Sequence, residues 1–128
     1  VKREAALDRR TRILDCPPGT ACTAVESIQG ADLCVLVTEP TPFGLHDLSL
    51  AHEATEALGV PSVVFINKEG LEGADIEAFC SEKDIPIIGK LRFERSIAKS
   101  YSNGPLLPKE CSSVFDEMAA ELTRRVGG

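Results

Sequence analysis

Short apolar runs alternate with amphipathic stretches along this chain, and the alternation predicts strands and helices in turn. The clearest strand covers residues 31–38, where Leu33-Cys34-Val35-Leu36-Val37 is continuously apolar. Such a run suits a parallel strand covered on both faces. Residues 61–68, Pro-Ser-Val-Val-Phe-Ile-Asn-Lys, read as another strand rich in β-branched residues. Residues 85–90 read as a short one. Arg12-Ile13-Leu14-Asp15 reads as the first strand, stopped by Pro17, Pro18 and Gly19.

Helices fill the intervals. Residues 20–29 form one, with Gly30 as its C-terminal stop. Leu45, Leu48, Ala51, Ala54 and Leu58 lie on one helical stripe closed by Gly59. Residues 75–83 form a third helix, burying Ile76, Phe79 and Cys80. Residues 92–101 read as a short helix or irregular turn, and 102–105 as a breaker cluster. The last helix runs over 109–125, with Cys111, Val114, Phe115, Met118, Ala119, Leu122 and Val126 on its apolar face. Strand–helix alternation with short connections predicts an α/β fold: a three-layer sandwich around a mainly parallel sheet of about four strands.

Length adds that 128 residues suit one domain, and 43% hydrophobic content suffices for a core. A net charge of −6 argues against a nucleic-acid or anionic-membrane surface, and no apolar run reaches the length of a membrane span. The five scattered cysteines, without a C-x-x-C, read as reduced thiols in a cytoplasmic protein. Cys34, Cys80 and Cys111 fall on apolar faces as core thiols, whereas Cys16 and Cys22 flank the proline turn and are more exposed. His46 and His52 are six apart, on different helical faces, and read as solvent or packing residues. The charged residues 1–11 read as the end of a helix belonging to something upstream, consistent with a chain that begins at Val1.

Candidate chemistry collects in the loops after the strands, because parallel strands bring those loops to one sheet edge. Asp15 ends an apolar run on that lip, where a carboxylate suits magnesium directly or through water. The plainer alternative is an Asp that caps the next helix. A second unusual loop is Thr38-Glu39-Pro40-Thr41-Pro42-Phe43-Gly44. A third begins at Asn67, whose carboxamide offers a donor and an acceptor side by side to a base edge. Spacing alone favours an Asn67 that bonds its own turn.

In this order, D-C-P-P-G-T-A-C, V-T-E-P-T-P-F-G-L-H-D-L and V-V-F-I-N-K resemble the MinD/ParA/nitrogenase-iron-protein group of P-loop ATPases. The nearest branch is the MinD-type ATPases with an inserted ferredoxin domain, and the resemblance covers residues 12–126. It implies that residues 1–128 are the C-terminal part of a P-loop ATPase domain. Asp15 to Gly19, with Pro17 and Pro18, would be the switch II segment. Asp15 would hold magnesium through water, and the Gly19 backbone would sense the γ-phosphate. Asn67 and Lys68 would lie at the adenine, and the segment carrying Arg92 would pass near its ring. Leu91, Arg92 and Glu94 depart from the Ile-Pro-Phe-Asp that relatives carry there.

The phosphate loop G-K-G-G-x-G-K-[ST] is absent from the 128 residues, as is a C-x-x-C-x-x-C ferredoxin pattern. Both are expected upstream, so the ATPase activity, with ATP and Mg2+ as cofactors, belongs to the full-length protein, and this segment alone is expected to be inactive. An iron–sulfur cluster in the upstream insert, a homodimer, and an iron–sulfur or redox protein partner are further implications. A cluster shared across a dimer through Cys16 or Cys22 is the weaker alternative. Against the nucleotide reading stands a second class, a non-catalytic α/β protein-interaction module.

Overall fold

A computed structural model describes residues 11–17, 22–92, 99 and 111–127. Their elements follow the order α1 (Cys22–Ile28), β1 (Cys34–Thr38), α2 (Pro42–Ala57), β2 (Ser62–Glu69), α3 (Ile76–Glu82), β3 (Ile87–Arg92) and α4 (Ser112–Gly127). The three strands form one parallel sheet in the order β1-β2-β3. β1 and β2 pair in continuous register, from Cys34 opposite Ser62 to Thr38 opposite Ile66. β2 and β3 pair with interruptions, Val64 opposite Ile87, Phe65 opposite Gly89 and Glu69 opposite Arg92.

Alternation along each strand splits the side chains between two faces. On one face Leu36, Val64 and Ile66 pack with Leu48 of α2 and with Ile76 and Cys80 of α3, forming the main core with Ile85. Both crossover helices therefore lie on the same side, as consecutive parallel strands joined by crossovers of one hand require. On the other face Phe65 stacks on Phe115 of α4, with ring centroids 6.1 Å apart. Gly89 makes that arrangement fit: a Cβ there would lie 2.9 Å from the Phe65 ring. Helices thus lie on both faces, and the α/β expectation holds at that level; β1 is not covered on both faces as its apolar run predicts, since α4 packs on the β3 side and leaves Val37 67% exposed.

Local chemistry sets the helix ends. Thr41 caps α2 by accepting a hydrogen bond from the Gly44 N–H, with Pro42 in the first turn. Asp75 caps α3 through the Ala78 N–H at 2.9 Å. Arg124 and Arg125 lie in the last turn of α4, where cations oppose the negative helix end, and both pair with Glu121.

The structure corrects the reading at the start of the chain. Residues 11–17 form no strand, and Ile13 is 92% exposed. A strand needs a ladder partner, and among the described residues none pairs with this segment; three described strands stand where about four were expected. The last helix begins at Ser112 and extends through Gly127; Ala119 and Val126 are exposed, outside the contact that α4 makes with β3 and with Phe65. Residues 1–10, Pro18, Gly19, 93–98 and the breaker cluster lie outside the described residues.

Candidate functional site

The loops after β1 and β2 meet at the carboxyl edge of the sheet. β1 ends at Thr38, which is buried and donates its hydroxyl to the Gly44 carbonyl at 3.0 Å. The chain turns so tightly through 39–44 that a Cβ on Gly44 would overlap the Glu39 carbonyl oxygen. Pro40 restricts the turn, Pro42 opens α2 and Thr41 closes the turn as the helix cap, so the sequence T-E-P-T-P-F-G folds as one compact unit.

The loop after β2 packs on it. Gly73, with φ of +157°, sits so close that a Cβ would meet Pro42 Cδ at 3.1 Å and the Pro40 carbonyl at 3.5 Å. Lys68 Nζ pairs with Glu39 Oε1 at 2.7 Å and bridges the two strand ends. Lys68 itself has φ of +54°, a left-handed conformation uncommon for a residue with a Cβ. The Asn67 carboxamide oxygen supports it by accepting the Lys68 N–H at 2.9 Å. Asn67 thus bonds its own turn, as spacing favoured, while its amide nitrogen makes no hydrogen bond among the described residues.

One strand further, Lys90 pairs with Glu77 and lies 3.6 Å from Glu69. The Glu77 hydrogen bond is the main cause that raises the Lys90 pKa, with smaller contributions from the charges of Glu77 and Glu69. Arg92 ends β3 opposite Glu69 and is exposed. A shallow cleft of about 500 Å³ opens beside these groups, lined by Pro40, Ile66, Glu69, Glu72, Asp75 and Glu77 among others. Its acidic lining suits a cationic group better than a phosphate.

The structure therefore brings Asn67, Lys68 and Arg92 to one sheet edge and adds Glu39, Glu69 and Lys90. Glu39 was legible only as part of an unusual loop; its pairing with Lys68 joins positions far apart in sequence. Asp15 and Pro17 lie in the irregular segment 11–17, both exposed. Among the described residues no hydrogen bond or ion pair joins Asp15 to the other strand ends. Pro18 and Gly19 lie outside the described residues.

None of the five cysteines forms a disulfide; Cys80 and Cys111 are buried, Cys34 is partly buried, and Cys16 and Cys22 are exposed. Burial is the first cause that raises the Cys34 thiol pKa, and the nearby Cys16 adds to it. Burial likewise raises Cys80. Among the described residues no three His, Cys, Asp or Glu side chains converge as metal ligands. None of their helices is long and apolar enough to cross a membrane.

No protein-family model matches the chain, and no solved structure matches it significantly. Two proteins of Methanocaldococcus jannaschii are similar to it. The uncharacterized protein MJ0579 is 30% identical over 92 residues, 72% of this chain and 31% of the relative. The uncharacterized protein MJ0578 is 24% identical over 106 residues, 83% of this chain and 36% of the relative. The matched region thus spans about a third of the length of these relatives.

Proposed function

We propose that the chain is the C-terminal portion of a MinD/ParA-type P-loop ATPase linked to iron–sulfur or redox chemistry. The observation that carries this reading is the meeting of two of the three family-like strings at one sheet edge. T-E-P-T-P-F-G and I-N-K lie at adjacent parallel strand ends, packed through Gly73 on Pro42 and tied by Lys68 and Glu39. Ligands of open α/β sheets bind along that edge.

The residues present fit a nucleotide in part. The Asn67 amide nitrogen remains available to a purine acceptor, while its oxygen is engaged by the Lys68 N–H. Asp15 is exposed, so its carboxylate can reach a hydrated magnesium. Arg92 at the end of β3 stands on the same edge, within the segment assigned to the adenine side. The phosphate-cradling loop is assigned to chain outside these 128 residues, which match about a third of the length of their relatives. When bound, magnesium would neutralise phosphate charge; this chain contributes the carboxylate that anchors its water shell and the edge that orients the base.

An iron–sulfur cluster does not fit the described residues, which bring together no set of three ligands. The cluster and the redox partner are therefore assigned to the rest of the protein, together with the homodimer. The competing reading, a non-catalytic interaction module, draws on Val37 and Phe43, which are 67% and 75% exposed near the same edge.

Calorimetric titration of the intact protein with ATP, with magnesium and then with EDTA, separates the two. The ATPase reading predicts saturable, magnesium-dependent binding that weakens in Asn67→Ala. Absence of binding by the intact protein would favour the interaction module.

A further inference from the structure

Helix α2 carries apolar side chains on two opposite faces. Leu48, His52 and Thr55 turn toward the sheet and are buried. Leu50 follows Leu48 by two residues, which at 3.6 residues per turn places it about 200° round the helix. Phe43 and Ala57 stand seven residues to either side of Leu50 and share its outward face. Phe43 is 75% exposed, Leu50 is 38% exposed, and Ala57 is exposed with them. A helix that closes one side of a sandwich ordinarily turns polar residues outward. α4 follows that rule, with Asp116, Glu117 and Arg124 exposed. α2 does not. Its exposed aromatic is also held in place: Thr41 caps the Gly44 N–H, and Thr38 donates to the Gly44 carbonyl.

The charges around this stripe have one sign. α2 and α3, the two helices on that side of the sheet, contain Asp47, Glu53, Glu56, Glu77 and Glu82 and no Lys or Arg. Lys90 takes up Glu77, and Glu56 lies 3.6 Å from His52 Nε2. Asp47, Glu53 and Glu82 are exposed and have no ion-pair partner among the described residues. Asp47 and Glu53 flank Leu50 three residues to either side, so the carboxylates border the apolar stripe itself.

We propose that the outward face of α2 docks a partner protein through an amphipathic helix whose apolar stripe is bordered by Lys or Arg. Phe43 and Leu50 are the anchors, two turns apart, as helices packed lengthwise use. The small side chain of Ala57 lets the partner backbone approach closely at the far end of the stripe. From Phe43 to Ala57 the face runs about 21 Å, the length of a four-turn helix. Asp47 and Glu53 select the basic flanks. A second copy of this chain does not suit the face, because α2 against α2 sets carboxylates against carboxylates with no cation between them. The surface lies on the outer side of α2 and does not depend on the nucleotide reading of the sheet edge.

The test uses the intact protein and a fluorescein-labelled helical peptide of Leu, Ala and Lys, with Leu at i, i+3, i+4 and i+7 spacing. The same peptide with Glu in place of Lys is the control, and fluorescence anisotropy reads binding. The expected result is saturable binding of the Lys peptide, none of the Glu peptide, and at least tenfold weaker binding in Phe43→Ser, in Leu50→Ser and in Glu53→Lys. All three side chains point away from the core, so the variants should keep the melting temperature. Val37→Ser, on the opposite face of the sheet, should leave binding unchanged, which separates this surface from the open edge of β1. Undiminished binding in Phe43→Ser and Leu50→Ser overturns the proposal, because charge attraction alone would then account for it. Absence of saturable binding overturns it as well. So does sedimentation showing a dimer that Phe43→Ser abolishes, since a second copy would then be the occupant.

Discussion

Lys68 Nζ lies 2.7 Å from Glu39 Oε1, and this pair ties the end of β2 to the loop that follows β1. Both side chains are roughly two-fifths exposed, so water screens their attraction. Exposed pairs of this kind contribute about 0.2–1 kcal/mol. Lys68→Met should therefore lower stability to urea by less than about 1 kcal/mol. A larger loss would mean that the pair holds the edge together, and that packing of Gly73 on Pro42 does not.

The turn at Gly44 carries more. An added methyl group overlaps the Glu39 carbonyl, which is backbone and cannot swing aside as a side chain can. Gly44→Ala should destabilise the fold by about 1–3 kcal/mol, as overpacking at a rigid site does. Urea unfolding measures it. Gly30→Ala provides a comparison, since no atom lies within 4 Å of a Cβ there and its cost arises from the φ of +78° alone.

These relationships show which parts of the fold the sequence carried. The apolar runs located β1, β2 and β3, because a parallel strand leaves a local composition signal, strongest in β2, whose Val63 to Ile66 are buried. Gly59 marked the end of α2 for a similarly local reason, whereas its start falls at Pro42, inside the stretch 39–44 read as a loop. Ile13 and Leu14 carried the same apolar signal, yet they form no strand, because a strand also requires a ladder partner that local sequence does not name. The fit of Gly89 under Phe65, the Lys68–Glu39 bridge and the burial of His52 all join elements distant in sequence. His52 in particular occupies the core-facing stripe of α2 beside Leu48 and Thr55, where a polar residue type masked the periodicity.

Thiol chemistry should divide the cysteines by burial. The Cys34 and Cys80 pKa values are raised, so less reactive thiolate is present at pH 8. Stability linked to these protonated thiols is complete below the ordinary cysteine pKa and is lost as pH rises through their raised values. Iodoacetamide at pH 8 followed by peptide mass mapping should label Cys16 and Cys22 first. Equal labelling of Cys34 would show that β1 is not covered as described.

The outer edge of β1 has no partner strand among the described residues, and Val37 beside it is 67% exposed. Open edges with apolar neighbours invite pairing with other chains. The 128-residue chain should therefore associate as its concentration rises, and Val37→Lys should reduce this. Sedimentation that shows a clean monomer at high concentration, with no binding of a dye for apolar surface, contradicts the expectation.

The central claim is that this sheet edge serves a magnesium nucleotide, and Asp15 tests it most directly. Asp15→Asn keeps the shape of the side chain while removing the charge that a hydrated magnesium needs. The measurement is magnesium-dependent ATP hydrolysis by the intact protein, with melting temperature followed in parallel. The account predicts a fall in hydrolysis of at least about a hundredfold, about 2.7 kcal/mol or more of transition-state stabilisation, with little change in melting temperature. Undiminished hydrolysis accompanied by a lowered melting temperature would contradict it and make Asp15 a structural residue.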